Sequence, residues 1–118
     1  MLLFRSEHVT PILMGVKTQT RRIWKRCRVK TGHIYQAKTG YRSGTFAFLR
    51  IKRVWKERLL DISDADARAE GYVSREAFLK AFMRINRLSE IPEGQVVWAI
   101  EFELAERHTY EAVSRSTH

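Results

Sequence analysis

The chain reads as one α+β domain: a small mixed or antiparallel β-barrel, partly closed, with two or three flanking helices. Three observations predict this. Runs rich in aromatic and β-branched residues lie on both sides of a helical pair, so the order is not a clean βαβ repeat. The longest run, Thr45 to Trp55, changes hydrophobic phase: Ala47, Leu49 and Ile51 share one parity and Val54 takes the other. A bulge near Lys52–Arg53 restores the phase and bends the strand, as a small barrel requires. Finally, 118 residues, 44% of them apolar, are enough for one core without disulfides or metal.

Each element follows from local pattern. Leu2-Leu3-Phe4 is a short apolar strand, and Glu7 to Met14 is helical with Pro11 in its first turn. Gly15 stands where a C-cap glycine belongs. Lys17 to Arg22 reads as extended, Thr31-Gly32 as a turn and Ile34 to Ala37 as a strand. Residues 39–44, with two glycines, form a loop before the long strand. Ser63 followed by Asp66 resembles a capping box, opening a helix that Gly71 ends. Ser74 opens a second helix, whose Phe78, Phe82 and Ile85 share a core face widened by Leu79 and Met83. Pro92-Glu93-Gly94 turns the chain into a strand from Val96 to Leu104, in which Trp98, Ile100, Phe102 and Leu104 form the expected buried side. The domain is read as residues 1–106, with a polar tail over 107–118.

The net charge of +9 is unevenly spread. Between Lys17 and Arg58 there are fourteen Lys or Arg and one acid, Glu57, a net +13; the remainder holds eight cations and twelve acids, a net −4. A block this one-sided attracts polyanions when it folds as one surface. No amphipathic helix with a cationic face competes for a membrane, and no apolar run approaches the ~20 residues of a bilayer span. The lone Cys27 excludes an internal disulfide, and the four histidines show no ligand spacing. No metal and no cofactor is expected, and the expected compartment is the cytoplasm.

The chemistry concentrates in Gly15-Val16-Lys17-Thr18-Gln19-Thr20-Arg21-Arg22. In an extended chain Lys17, Gln19 and Arg21 point one way and Thr18, Thr20 and Arg22 the other. Both faces then carry cations beside hydrogen-bonding groups, a combination suited to phosphate or carboxylate. A solvated basic edge strand is the plainer reading. Glu70 breaks a local rule, because a carboxylate at a helix C-terminus meets the negative end of the dipole. Tyr41 and Arg42, in the glycine-flanked loop, suit base stacking and phosphate contact, and Arg50 and Arg53 lie along the basic strand.

Taken in order, these segments resemble the ASCH domain: Gly15 to Arg22, Asp66 to Tyr72, the helix from Ser74 to Ile85, and Val97 to Leu104. The resemblance runs from about Phe4 to Leu104 and implies a PUA-like barrel with a cleft lined by the Lys-Thr-x-Thr-x-Arg segment. It implies an association with RNA. One branch of the family consists of small amidohydrolases that deacetylate N4-acetylcytidine with a lysine, a threonine and a glutamate. The resemblance places these on Lys17, Thr20 and Glu70, and the motif's closing arginine on Arg22. Glu70 is followed here by Gly71-Tyr72, as in the wider family and unlike that branch.

Three functions remain open at the level of sequence. The first is RNA binding, in processing or metabolism, through a basic cleft that includes Thr18, Arg21, Arg22, Tyr41, Arg42, Arg50 and Arg53. The second is hydrolysis of N4-acetylcytidine or a similar acylated nucleoside by Lys17, Thr20 and Glu70. The third is a metal-independent ribonuclease using lysine and glutamate as acid and base.

Overall fold

A computed structural model describes residues 1–107 and 109–111. Of the polar tail expected from 107 onward, His108 and residues 112–118 lie outside the described residues. The chain forms β1 (Leu2–Leu3), a 3-10 turn (Ser6–His8) running into α1 (Val9–Leu13), β2 (Gln19–Arg22), β3 (Ile34–Lys38) and β4 (Ala47–Arg58). A second 3-10 turn (Leu59–Asp61), α2 (Asp64–Ala69), α3 (Arg75–Ile85) and β5 (Val96–Ala105) follow. The strands make one curled, half-barrel sheet in the order β1-β3-β4-β5-β2. β1 runs parallel to β3 and the other pairs are antiparallel.

The bulge expected near Lys52–Arg53 is present. Ile51 faces Phe102 and Arg53 faces Glu101, which leaves Lys52 as the extra residue. Beyond it Val54 faces Ile100, so both halves of β4 present apolar groups to the concave side. The resulting curl brings the two edge strands toward each other. The Arg22 guanidinium, ending β2, lies 4.8 Å from the ring centroid of Phe4, just past β1. The half-barrel therefore has a seam between β1 and β2, and the candidate residues Thr20 and Arg22 lie along it.

Two apolar clusters hold the fold. Leu2, Phe4, Ile12, Leu49, Ile51, Ile100 and Phe102 fill the curl. Leu59, Ile62, Ala67, Phe78, Phe82 and Val97 join α2 and α3 to the sheet. β5 feeds both, which is why Val97 and Ala99 are buried alongside Ile100 and Phe102 and simple alternation fails. Leu104, expected on the buried side, is 47% exposed. β2 pairs only with residues 98–101, so the end of β5 has no neighbouring strand on that side.

The helix ends are chemically determined. Gly15 adopts a positive φ of 74° after α1, and the amides of Val16 and Lys17 both donate to the Pro11 carbonyl. Ser63 caps α2 by accepting from the Asp66 amide, and Ser74 caps α3 by accepting from Ala77. The helix expected over Glu7 to Met14 is split, with its first turn wound as 3-10.

Candidate functional site

The alternation of β2 divides its side chains as an extended chain must. Lys17, Gln19 and Arg21 turn toward α2, and Thr20 and Arg22 turn into the seam beside Phe4. α2 ends at the base of this strand. Its last carbonyls lack intrahelical donors, and the 17–18 segment supplies them: the Thr18 amide donates to Ala69 O at 2.7 Å, and Lys17 Nζ donates to Glu70 O at 2.9 Å. Gly71 permits the close approach. Its φ is 99°, and a Cβ there would lie 3.5 Å from that of Lys17.

A buried ion network results. Lys17, 2% exposed, donates to the Gln19 carbonyl, the Glu70 carbonyl and Glu70 Oε1, each at 2.9 Å. All three ammonium protons are thus committed to acceptors. Arg21 Nη1 donates to Glu70 Oε2 at 3.0 Å and to Gln19 Oε1 at 2.9 Å, Nη2 donates to Asp66 Oδ2 at 3.2 Å, and Nε donates to Glu57. Gln19 Nε2 donates to Asp66 Oδ1 at 3.1 Å. The dipole penalty expected for Glu70 is offset by two cations held against its carboxylate. Burial pulls the Lys17 pKa below the ordinary lysine range. Glu70 opposes that shift, while Arg22 and Arg21 add to it.

Thr20 and Arg22 stand beside this network. Arg22 Nε donates to Thr20 Oγ1 at 3.0 Å, leaving the threonine proton for a ligand or a base. Burial pushes the Arg22 pKa down to about 10, partly countered by Glu70, so the group stays charged at neutral pH. His8 and Tyr72 hold each other across the opposite wall at 2.9 Å. Burial, then the Lys17 charge, pushes His8 down to about 4, which makes it a neutral imidazole. Burial raises the Tyr72 hydroxyl above its ordinary value.

These groups enclose a cavity of about 280 Å³. Lys17, Thr20, Arg21, Arg22 and Glu70 form its polar side, and Phe4, His8, Tyr72, Phe78 and Phe82 its aromatic side. The three residues assigned to catalysis by resemblance therefore share one pocket, with Arg22. Other candidates lie elsewhere. The Thr18 side chain faces a second hollow between α1 and β5, with Ile12, Lys52 and Leu104. Tyr41, 75% exposed, and Arg42 are on the loop after Thr39, which itself reaches the pocket rim. Arg50 and Arg53 lie outside the pocket and oppose Glu103 and Glu101 at 3.8 and 3.9 Å. Arg53 also covers the ring of Trp55.

Sequence reasoning missed Glu57, Asp66, Gln19, His8 and Tyr72. One signal was available for Glu57: it is the lone acid among fourteen cations, and it receives both Arg21 and Trp55 Nε1. His8 carried no such signal, because Tyr72 reaches it from 64 residues away. Among the described residues no cluster of three or more His, Cys, Asp or Glu side chains is placed to hold a metal ion, and no helix is long and apolar enough to cross a membrane.

No protein-family model matches the chain, and no curated protein does. Solved structures do match. The ASCH domain from Lactobacillus crispatus superposes with a TM-score of 0.63 at 20% identity, over 81% of this chain and 69% of that one. A protein of family DUF984 from Enterococcus faecalis gives 0.60 at 21% identity, over 84% of this chain and 70% of that one. The hypothetical protein PH0355 gives 0.62 at 20% identity, over 88% of this chain and 96% of that one. The shared feature is the fold, and the chain has the PUA-like architecture of the ASCH domain.

Proposed function

We propose that the seam pocket is the active site of an amidohydrolase acting on a small acylated nucleoside of the N4-acetylcytidine kind. The observation that supports this is the convergence of Lys17, Thr20, Arg22 and Glu70 on one aromatic-walled cavity of about 280 Å³. Ligand pockets span roughly 300–1,000 Å³. A cavity just below that range suits a single base and its acyl group better than a polynucleotide strand.

The geometry refines the chemistry. Lys17 at rest is an ammonium with all three protons committed, so it becomes a base only after passing one to Glu70 Oε1 along their 2.9 Å bond. Burial pulls the Lys17 pKa down, toward the neutral amine. The freed amine takes the Thr20 proton as Oγ1 bonds to the acyl carbon. Collapse breaks the C–N bond, and the departing amine receives its proton from Lys17. Water then attacks the threonyl ester, releasing the carboxylic acid and restoring the hydroxyl.

The test is release of cytidine from N4-acetylcytidine. Thr20→Ala is the informative variant, because Lys17→Ala removes one of the two cations that hold buried Glu70, leaves it to Arg21 alone, and so perturbs the fold as well as the chemistry. Thr20→Ala is expected to lose at least about a hundredfold in kcat/KM while staying folded, with a modest loss of stability because Arg22 Nε loses its acceptor, and Thr20→Ser to recover part of that rate. No turnover by the wild type, or full activity of Thr20→Ala, ends this reading.

One observation favours RNA as a second ligand. Lys25, Arg26, Arg28 and Lys30 are exposed on the connection that leaves the pocket at Arg22, and among the described residues none of them has an ion-pair partner. An acylated base within an RNA strand would have its flanking phosphates near these cations.

A further inference from the structure

The charges lining the pocket do not balance. Its wall includes Arg5, Lys17, Arg21 and Arg22, with Glu70 as its only carboxylate among the described residues. Lys17 and Arg21 are answered: the first saturates its ammonium on Glu70 and Gln19, and the second is bound by Glu57, Asp66 and Glu70. Arg22 is not. Among the described residues its single hydrogen bond goes to the neutral Thr20 hydroxyl, and no carboxylate lies within 4 Å of it. One side of its guanidinium rests on the Phe4 ring, at 4.8 Å from the centroid. That stacking fixes the plane of the group, and among the described residues its Nη atoms have no hydrogen-bond partner. Arg5 stands at the same pocket, exposed, and among the described residues makes only a long contact of 3.5 Å to the Ile85 carbonyl.

Arg22 is half-buried, and a guanidinium partly removed from water without a counterion is disfavoured. A planar, pre-oriented one is suited to bidentate binding of an oxoanion. We propose that the ligand of this pocket carries an anionic oxo group, a phosphate or a carboxylate, which Arg22 binds inside the cavity and Arg5 meets at the rim. This deepens the function proposed above and rests on it for the location of the ligand. It does not depend on the hydrolytic step.

Binding is read by calorimetry on the full chain, with cytidine, cytidine 5′-monophosphate and N-acetylglycine as probes. The nucleotide represents a phosphate source, and the acylated amino acid a carboxylate source. At least one anionic probe is expected to bind about tenfold or more tighter than cytidine, the gain of one charge-assisted contact. The probe that shows the gain identifies the source. Arg22→Gln is expected to bring that ratio to about one. Arg5→Gln, on an exposed residue that the fold does not need, is expected to lower it by a smaller factor. Cytidine binding as well as both anions, in the wild type, overturns the proposal without reference to any variant. A preference that survives Arg22→Gln in folded protein overturns it as well. Absence of N4-acetylcytidine turnover alongside an intact anion preference would sink the hydrolytic reading and leave this one standing.

Discussion

His8 is the residue whose titration the fold changes most legibly. Its pKa falls from 6.5 to about 4 because the ring is half-buried and faces the Lys17 charge. The other groups that bear on it are Glu7, which favours the protonated ring, and Arg22 and Arg84, which oppose it. A lowered histidine pKa means that the unfolded chain binds the extra proton first. Stability therefore rises with pH from about 4 to 6.5 and is lost on acidification through that window. The upper bound on this contribution is about 3 kcal/mol. Urea unfolding at pH 4.5 and 7 is expected to show a gap that narrows in His8→Gln, read as a difference between the two proteins so that shared carboxylate titrations cancel. An unchanged gap would remove His8 as its source. At this scale the sequence exposed the motif residues and hid their partners. Lys17 and Thr20 were readable from spacing and resemblance, whereas the three-way grip on Arg21 depends on Glu57 and Asp66, which meet it across 36 and 45 residues.

At the scale of elements the legible features were the local ones. The bulge in β4 followed from a parity change within one strand, and the caps of α2 and α3 followed from serine placement. The doubly covered stretch of β5 was not legible. Whether Val97 and Ala99 or Trp98 and Ile100 face the core depends on helices that pack from a different part of the chain. Gly71 joins the two scales, because a backbone requirement at the end of α2 places Glu70 against Lys17. Gly71→Ala is expected to cost about 1–2 kcal/mol, since a side chain at φ 99° is strained and its methyl would abut the Lys17 stem. Gly44→Ala, where φ is not positive and a Cβ meets nothing within 4 Å, is expected to be neutral or slightly stabilising. Chemical denaturation of the two variants side by side checks the contrast, and equal effects would mean that the turn tolerates the side chain.

For the molecule as a whole, the basic block is real in sequence but does not fold as one free surface. Lys17 and Arg21 are consumed in the buried network against α2, and Arg50, Arg53 and Arg58 face carboxylates. Apart from Glu57 in β4, those acids come from β5, from α2 and its C-terminal cap, and from the turn after β4, so linear charge counting overstates the field. The cations left exposed and unopposed among the described residues include Lys25, Arg26, Arg28 and Lys30, all on the connection between β2 and β3. Association with a single-stranded polyanion releases counterions for each phosphate met, giving a log–log salt slope of about −0.7 per contact. Removing an unopposed cation deletes such a contact. Removing a cation that already faces a carboxylate deletes a pair and frees a repelling acid. The two loci thus differ in kind: neutralising the loop should flatten the salt slope, whereas neutralising β4 should weaken affinity at low salt with less change of slope. Fluorescence anisotropy with a labelled single-stranded RNA across a salt series, comparing the fourfold loop variant to glutamine with Arg50→Gln/Arg53→Gln, separates them. The expected result is a loop variant whose slope is shallower by about 0.7 for each lost contact. A larger flattening from the β4 pair, or wild-type binding that ignores salt, would show that the connection between β2 and β3 is not where the chain meets a polyanion.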